Sequence, residues 1–192
     1  AFEIDAPDHR AGEVRSPTLQ ALKPSDNGKS CVPAFMNVSQ DISFSCAHVN
    51  PSSGREQLHL DKKGSLSETT PAPLACGGTA KKLVRVAFDD KGKGAIDLRY
   101  PDVGSVRLEA SLTRDGATIE GAATFTAAPY RFGLAATVPP DGFVAGQSFA
   151  LKLSSLNKAG AVTRGFDSGL LPGATGVLLD SCVIAPLRPG SG

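Results

Sequence analysis

Four successive stretches in the middle of the chain alternate apolar and polar residues, and this period of two most constrains the fold. In "KKLVRVAF", Val84, Val86 and Phe88 share one face. In "GAIDLRY", Ile96, Leu98 and Tyr100 share a face, while Asp97 and Arg99 take the other. In "SVRLEASL", Val106, Leu108, Ala110 and Leu112 oppose Ser105, Arg107, Glu109 and Ser111. In "ATIEGAATFT", Ile119, Gly121, Ala123 and Phe125 oppose Thr118, Glu120 and Thr124. Such alternation sends one set of side chains inward and the other into water. One-sided strands of this kind belong to antiparallel sheets with one wet face.

The connections carry turn chemistry. "DDKGKG" (89–94) and "RDG" (114–116) join the central strands, with Gly92 and Gly94 free to take positive φ. Asn27-Gly28 in "SDNGKS" is a strong hairpin signal, and "PPDG" (139–142) and "NKAG" (157–160) act similarly. Upstream, "QDISFSC" places Ile42, Phe44 and Cys46 on one face, and "EQLHLD" turns Leu58 and Leu60 inward with His59 between them. The polar stretch 65–80 is a long loop that Cys76 can pin. No window sustains a 3.6-residue period with caps at both ends. The expected fold is all-β: antiparallel, immunoglobulin-like β-sandwich modules with very little helix.

A joint falls near "AAPYRFGLAA" (127–136), after a complete run of strands. Beyond it, "AGQSFALKLSSL" (145–156) repeats the character of "AGEVRSPTLQAL" (11–22), with Leu19/Leu153 and Leu22/Leu156 matched at an offset of 134. We therefore expect one module over 1–130 and a second, partial one over 131–192. The second has about 60 residues, against roughly 100 for an immunoglobulin-like sandwich.

The formal charge is +1 with signs interleaved, so no basic stripe marks a nucleic-acid partner. No apolar run is long enough to span a bilayer, so membrane insertion is not expected. The abrupt start at "AFEIDAPDHR" reads as a mature or excised fragment.

Cys31, Cys46, Cys76 and Cys182 lie in no Cys-x-x-Cys spacing. An even count in this composition points to two disulfides in an oxidising compartment. Cys31–Cys46 is the favoured pair because it closes a short loop, which leaves Cys76–Cys182 as the long-range pair.

Chemistry leaves little trace. His9, His48 and His59 show no metal-binding spacing and read as surface or loop histidines, with His59 on an exposed strand face. No nucleophile elbow or phosphate-binding glycine loop is present. Asp89 and Asp90 are weak Ca²⁺ candidates that read better as a solvated hairpin turn. Asp102, in "YPDVG", reads as a structural turn residue. Tyr100 is expected in the core, and Tyr130 at the joint between modules. No cofactor and no enzymatic activity are expected.

Several stretches in order carry a resemblance: "FEIDAPDHRAGEV", "CVPAFMNVSQDISFSCAHVNPSSG", "VAFDDKGKGAIDLRYPDVGSVRLEAS", "FTAAPYRFGL" and "AGQSFALKLSSLNKAGAVTRGF". Together they resemble the uncharacterised C-terminal domain of the MSHA biogenesis protein MshQ family, large bacterial surface proteins that accompany type IV pilus systems. The resemblance implies an exported protein of the bacterial cell surface that acts near a pilus as adhesin, tip component or assembly factor. Pilus components or host and surface ligands would be its partners. It supplies no catalytic residues. The alternative is an extracellular β-sandwich that binds carbohydrate, or a ligand through Ca²⁺, with loops at one end.

Overall fold

The computed structural model describes residues 1–114, 116–138, 140, 142, 144–146 and 149–165. Among them no α-helix occurs, and no helix is long and apolar enough to cross a membrane. The described residues form an all-β fold, as their alternation requires.

Twelve strands form one curled sheet. They are β1 (Phe2–Asp5), β2 (His9–Arg10), β3 (Val14–Arg15), β4 (Thr18–Pro24), β5 (Cys31–Pro33), β6 (Val38–Asn50), β7 (Leu58–Lys62), β8 (Pro73–Leu74), β9 (Lys82–Phe88), β10 (Lys93–Arg99), β11 (Gly104–Arg114) and β12 (Ala117–Ala128). The main path runs β1-β4-β10-β9-β6-β11-β12-β2, with β3 and β7 on β10, β5 on β4, and β8 on β7. All pairings are antiparallel except that of β12 with β2. The curl closes where β1 crosses β12. A Cβ placed on Gly121 would stand 2.1 Å from the Phe2 carbonyl oxygen, so only glycine allows that approach.

The core fills the inside of the curl. Ile42, Phe44, Leu58, Leu60, Val86, Ile96, Leu98, Val106, Leu108 and Phe125 are buried, together with Tyr100. Each lies on the face that the period of two assigns to it. Removing this apolar surface from water is the main stabilising term.

One residue departs from the period. Asp97 was expected on a wet face, yet it is only 3% exposed. The turn after β7 folds over it. Gly64 N–H donates to its carboxylate at 2.7 Å, Leu66 N–H at 3.4 Å and Ser16 Oγ at 3.0 Å, with Lys63 Nζ at 3.3 Å. These donors replace the water the carboxylate loses.

β13 (Arg131–Ala136) and β14 (Leu151–Leu156) form a separate antiparallel pair. Leu134 and Leu153 are opposite in register and exposed on the same face.

Candidate functional site

The disulfide joins Cys46 to Cys76, not Cys31 to Cys46 or Cys76 to Cys182. Cys46 lies eight residues into β6, roughly 26 Å along an extended strand from its start. Proximity in sequence to Cys31 is therefore cancelled by the strand between them. Cys31 sits exposed at the turn end of the β4–β5 hairpin, opposite Pro24. Cys46 instead faces the core at 4% exposure, and the end of the 65–80 loop lies against it. Gly77 N–H donates to the Cys46 carbonyl at 2.6 Å beside the bridge. Cys76 does pin that loop, as its sequence suggests. Cys182 lies outside the described residues.

The three histidines do not converge, and none is a plain surface residue. His9 is buried, stacked on Phe125 with ring centroids 4.9 Å apart. The short parallel pairing of β2 with β12 lays it there. Burial lowers its pKa, opposed by the hydrogen bond to the Pro7 carbonyl. His59 is half-buried on β7, because β8 covers the flank that the alternation left open. Its Nδ1 accepts from Ala72 N–H at 3.2 Å. Burial first, then the charges of Arg99 and Lys82, push its pKa down to about 4.

His59 therefore carries a pH signature. The unfolded imidazole takes its proton near 6.5. The unfolded chain binds more protons between that value and 4, so stability is full above pH 6.5 and falls as pH drops toward 4. His9 and His48, also lowered, act in the same direction. His59→Asn retains an acceptor for Ala72 N–H and removes the titration. Urea unfolding from pH 7 to 4 should show a shallower loss for the variant than for the parent chain. Identical slopes would remove His59 from the effect.

Asp89 and Asp90 lie in the β9–β10 turn. The Asp89 carboxylate accepts from Lys91 N–H at 2.9 Å and Lys93 N–H at 2.8 Å, which makes it a turn brace. Among the described residues, no group of three or more His, Cys, Asp or Glu is arranged to hold a metal ion.

The densest cluster of buried polar groups lies where residues 155–165 meet the corner between β10 and β11. Asp102 is 3% exposed there. Its Oδ1 accepts from Val103 N–H at 2.8 Å, and Gly165 N–H lies 3.0 Å from both carboxylate oxygens. A Cβ on Gly165 would meet the Val103 carbonyl oxygen at 2.3 Å, so the two backbones touch. Asn157 Nδ2 donates to the Pro101 carbonyl at 2.9 Å, and its Oδ1 accepts from Ala161 N–H at 3.0 Å. Lys158 N–H donates to the Ala11 carbonyl at 2.9 Å, while Gly12 N–H donates to Tyr100 at 2.7 Å. Lys158 also pairs with Glu68 of the long loop. Residues 157–165 are thus clamped to three separate parts of the twelve-stranded sheet and its loops.

Beneath this clamp Tyr100 OH lies 3.3 Å from His48 Nδ1, and Gly54 presses on the His48 ring. Burial lowers the His48 pKa, against the opposing charges of Asp102 and Glu56. Burial raises that of Tyr100, with Asp102 and Glu56 adding to the rise. Both groups are neutral near pH 7. A cavity of about 270 Å³ opens beside them, lined by Pro51, Glu56, Asp102, Arg164 and Gly165 among others. The Asp102 oxygens hold backbone N–H groups of Val103 and Gly165. The cluster braces one segment against another.

Tyr100 lies in the core, as the sequence suggests, and the Arg10 guanidinium sits 6.0 Å from the Tyr130 ring centroid. The sequence marks Asp102 and Asn157 only as turn residues. Their turn chemistry was visible, but their long-range partners, 63 and 56 residues away, were not.

A family model described as "Domain of unknown function (DUF6701), first Ig-like domain" matches residues 1–127. No curated protein and no solved structure matches the chain.

Proposed function

We propose that this chain, which belongs to the DUF6701 family with its first Ig-like domain over residues 1–127, is a non-enzymatic module of a bacterial surface protein. In this reading the protein is exported, is associated with a type IV pilus, and works as adhesin, tip component or assembly factor. Its contribution is to hold neighbouring modules at a fixed angle so that a binding region is presented away from the cell. The observation that carries the reading is the polar clamp at Asp102, which ties the chain after β14 to the first module. A flexible tether would need no such buried carboxylate. The Cys46–Cys76 bridge is compatible with an extracellular domain.

Two measurements on intact bacteria test it. Antibody against this domain should label unpermeabilised cells, and the domain should co-purify with sheared pili. Thiol alkylation before reduction should leave Cys46 and Cys76 unmodified. Labelling that requires permeabilisation, or both thiols alkylated in the cell, would defeat the proposal. Absence from sheared pili would defeat its pilus component.

A further inference from the structure

On the outer face of the curled sheet, four cationic side chains remote in sequence line one groove of about 580 Å³. Lys62 ends β7, Lys63 follows it, Arg85 projects outward from mid-β9, and Lys93 opens β10. The pairing registers bring them together: Lys62 lies opposite Ile96, Lys93 opposite Gln20, and Arg85 opposite Asp41. The floor is made by Ala87, Gly94 and Ala95, whose small side chains leave a trough between the longer walls. Thr18 and Ser39 contribute hydroxyls.

The charge of this groove is unbalanced. Four cations face one lining carboxylate, Asp89, which braces its own turn. The Asp97 and Asp41 carboxylates that pair with Lys63 and Arg85 offset two more of these charges, so the net excess is +1 and the cations left without an ion pair among the described residues are Lys62 and Lys93. Lys63 leans on Ser16 and Asp97, and Arg85 lies 3.7 Å from Asp41 with both side chains exposed. Concave surfaces lined by one sign of charge focus the field and concentrate ligands of opposite sign. Beyond Lys93 the surface turns acidic at Glu3 and Asp5, which gives the groove a defined end.

We propose that this groove binds an anionic polysaccharide, a hydroxyl-rich chain bearing carboxylate or sulfate groups. The lining contains no aromatic ring. Neutral sugars and unpaired nucleobases both lack a stacking platform there. Charge supplies the attraction, and the Thr18 and Ser39 hydroxyls suit sugar oxygens. The volume lies within the range of small-ligand pockets, enough for a short run of sugar units. The proposal rests on the surface-module reading only for where such a polymer would be met.

The test uses the 192-residue chain with polyuronate and heparin as probes, dextran as the neutral control and single-stranded DNA as a competing polyanion. Both anionic glycans should bind at 50 mM NaCl, with affinity falling at least tenfold by 300 mM as screening sets in. Dextran should not bind. The double variant Lys62→Glu/Lys93→Glu should lose at least tenfold in affinity with an unchanged melting temperature. Lys23→Glu/Lys29→Glu, on the β4–β5 hairpin, should change it less than twofold. No binding of either anionic glycan, or equal binding by the groove variant, would overturn the proposal. So would DNA binding as tight as the glycans' with the same sensitivity to the variant, since that marks a generic polyanion surface. Those failures would leave the surface-module reading intact, because labelling and oxidation in cells decide it separately.

Discussion

Replacing Cys46 and Cys76 together by alanine is expected to lower the melting temperature by about 7–14 °C. The bridge spans a sequence separation of 30. On the chain-entropy account, a loop of that length contributes about 3.5 kcal/mol by restricting the unfolded chain. For a chain of this size each kcal/mol moves the melting temperature by about 2–4 °C. The bridge also fixes the 65–80 loop over the core, so its loss adds exposure of Leu74 and Leu58 to the entropic cost. Calorimetry of the double variant measures the effect, with Cys31→Ser as a control expected to shift it by under 2 °C. A drop below 3 °C in the double variant would show that the bridge adds little to the packing around it.

Asp102→Ala should be nearly as costly and more specific. It withdraws a carboxylate from two buried N–H groups, at about 3 kcal/mol by the usual cost of unmaking charged, buried hydrogen bonds. The damage should be concentrated at the joint. Hydrogen exchange should accelerate at Val103, Gly165 and Thr163 while the amides of β6 and β11 keep their protection. Limited proteolysis should cut between 157 and 165 in the variant first. Asp102→Asn, which keeps one acceptor oxygen, should lose about half as much. Uniform acceleration across the sheet would instead make Asp102 a general core residue with no special role in the clamp.

The strands from β9 to β12 were legible because each has one buried and one wet face, and a period of two is all that such burial needs. Leu58, Leu60 and Tyr100 were placed for the same reason. Asp97 escaped because its cover comes from Gly64 and Leu66, more than thirty residues away. Local alternation reports the face of a strand and not what a loop later lays over it. The disulfide was misassigned because loop length was counted along the sequence, whereas β6 carries Cys46 far from Cys31 in space. The basic groove escaped for a related reason. Its charges come from β7 and the residue after it, from β9 and from β10, each a short window with only one or two of the cations, and only pairing gathers them.

The clamp also decides how traction would travel through the molecule. A pull applied beyond residue 165 reaches the Asp102 corner and the Ala11 carbonyl before it loads the Pro129–Tyr130 connector. The corner continues directly into β11, whose eleven residues pair along their whole length with β12. Tension thereby enters a long hydrogen-bonded ladder, and the Pro129–Tyr130 connector is bypassed.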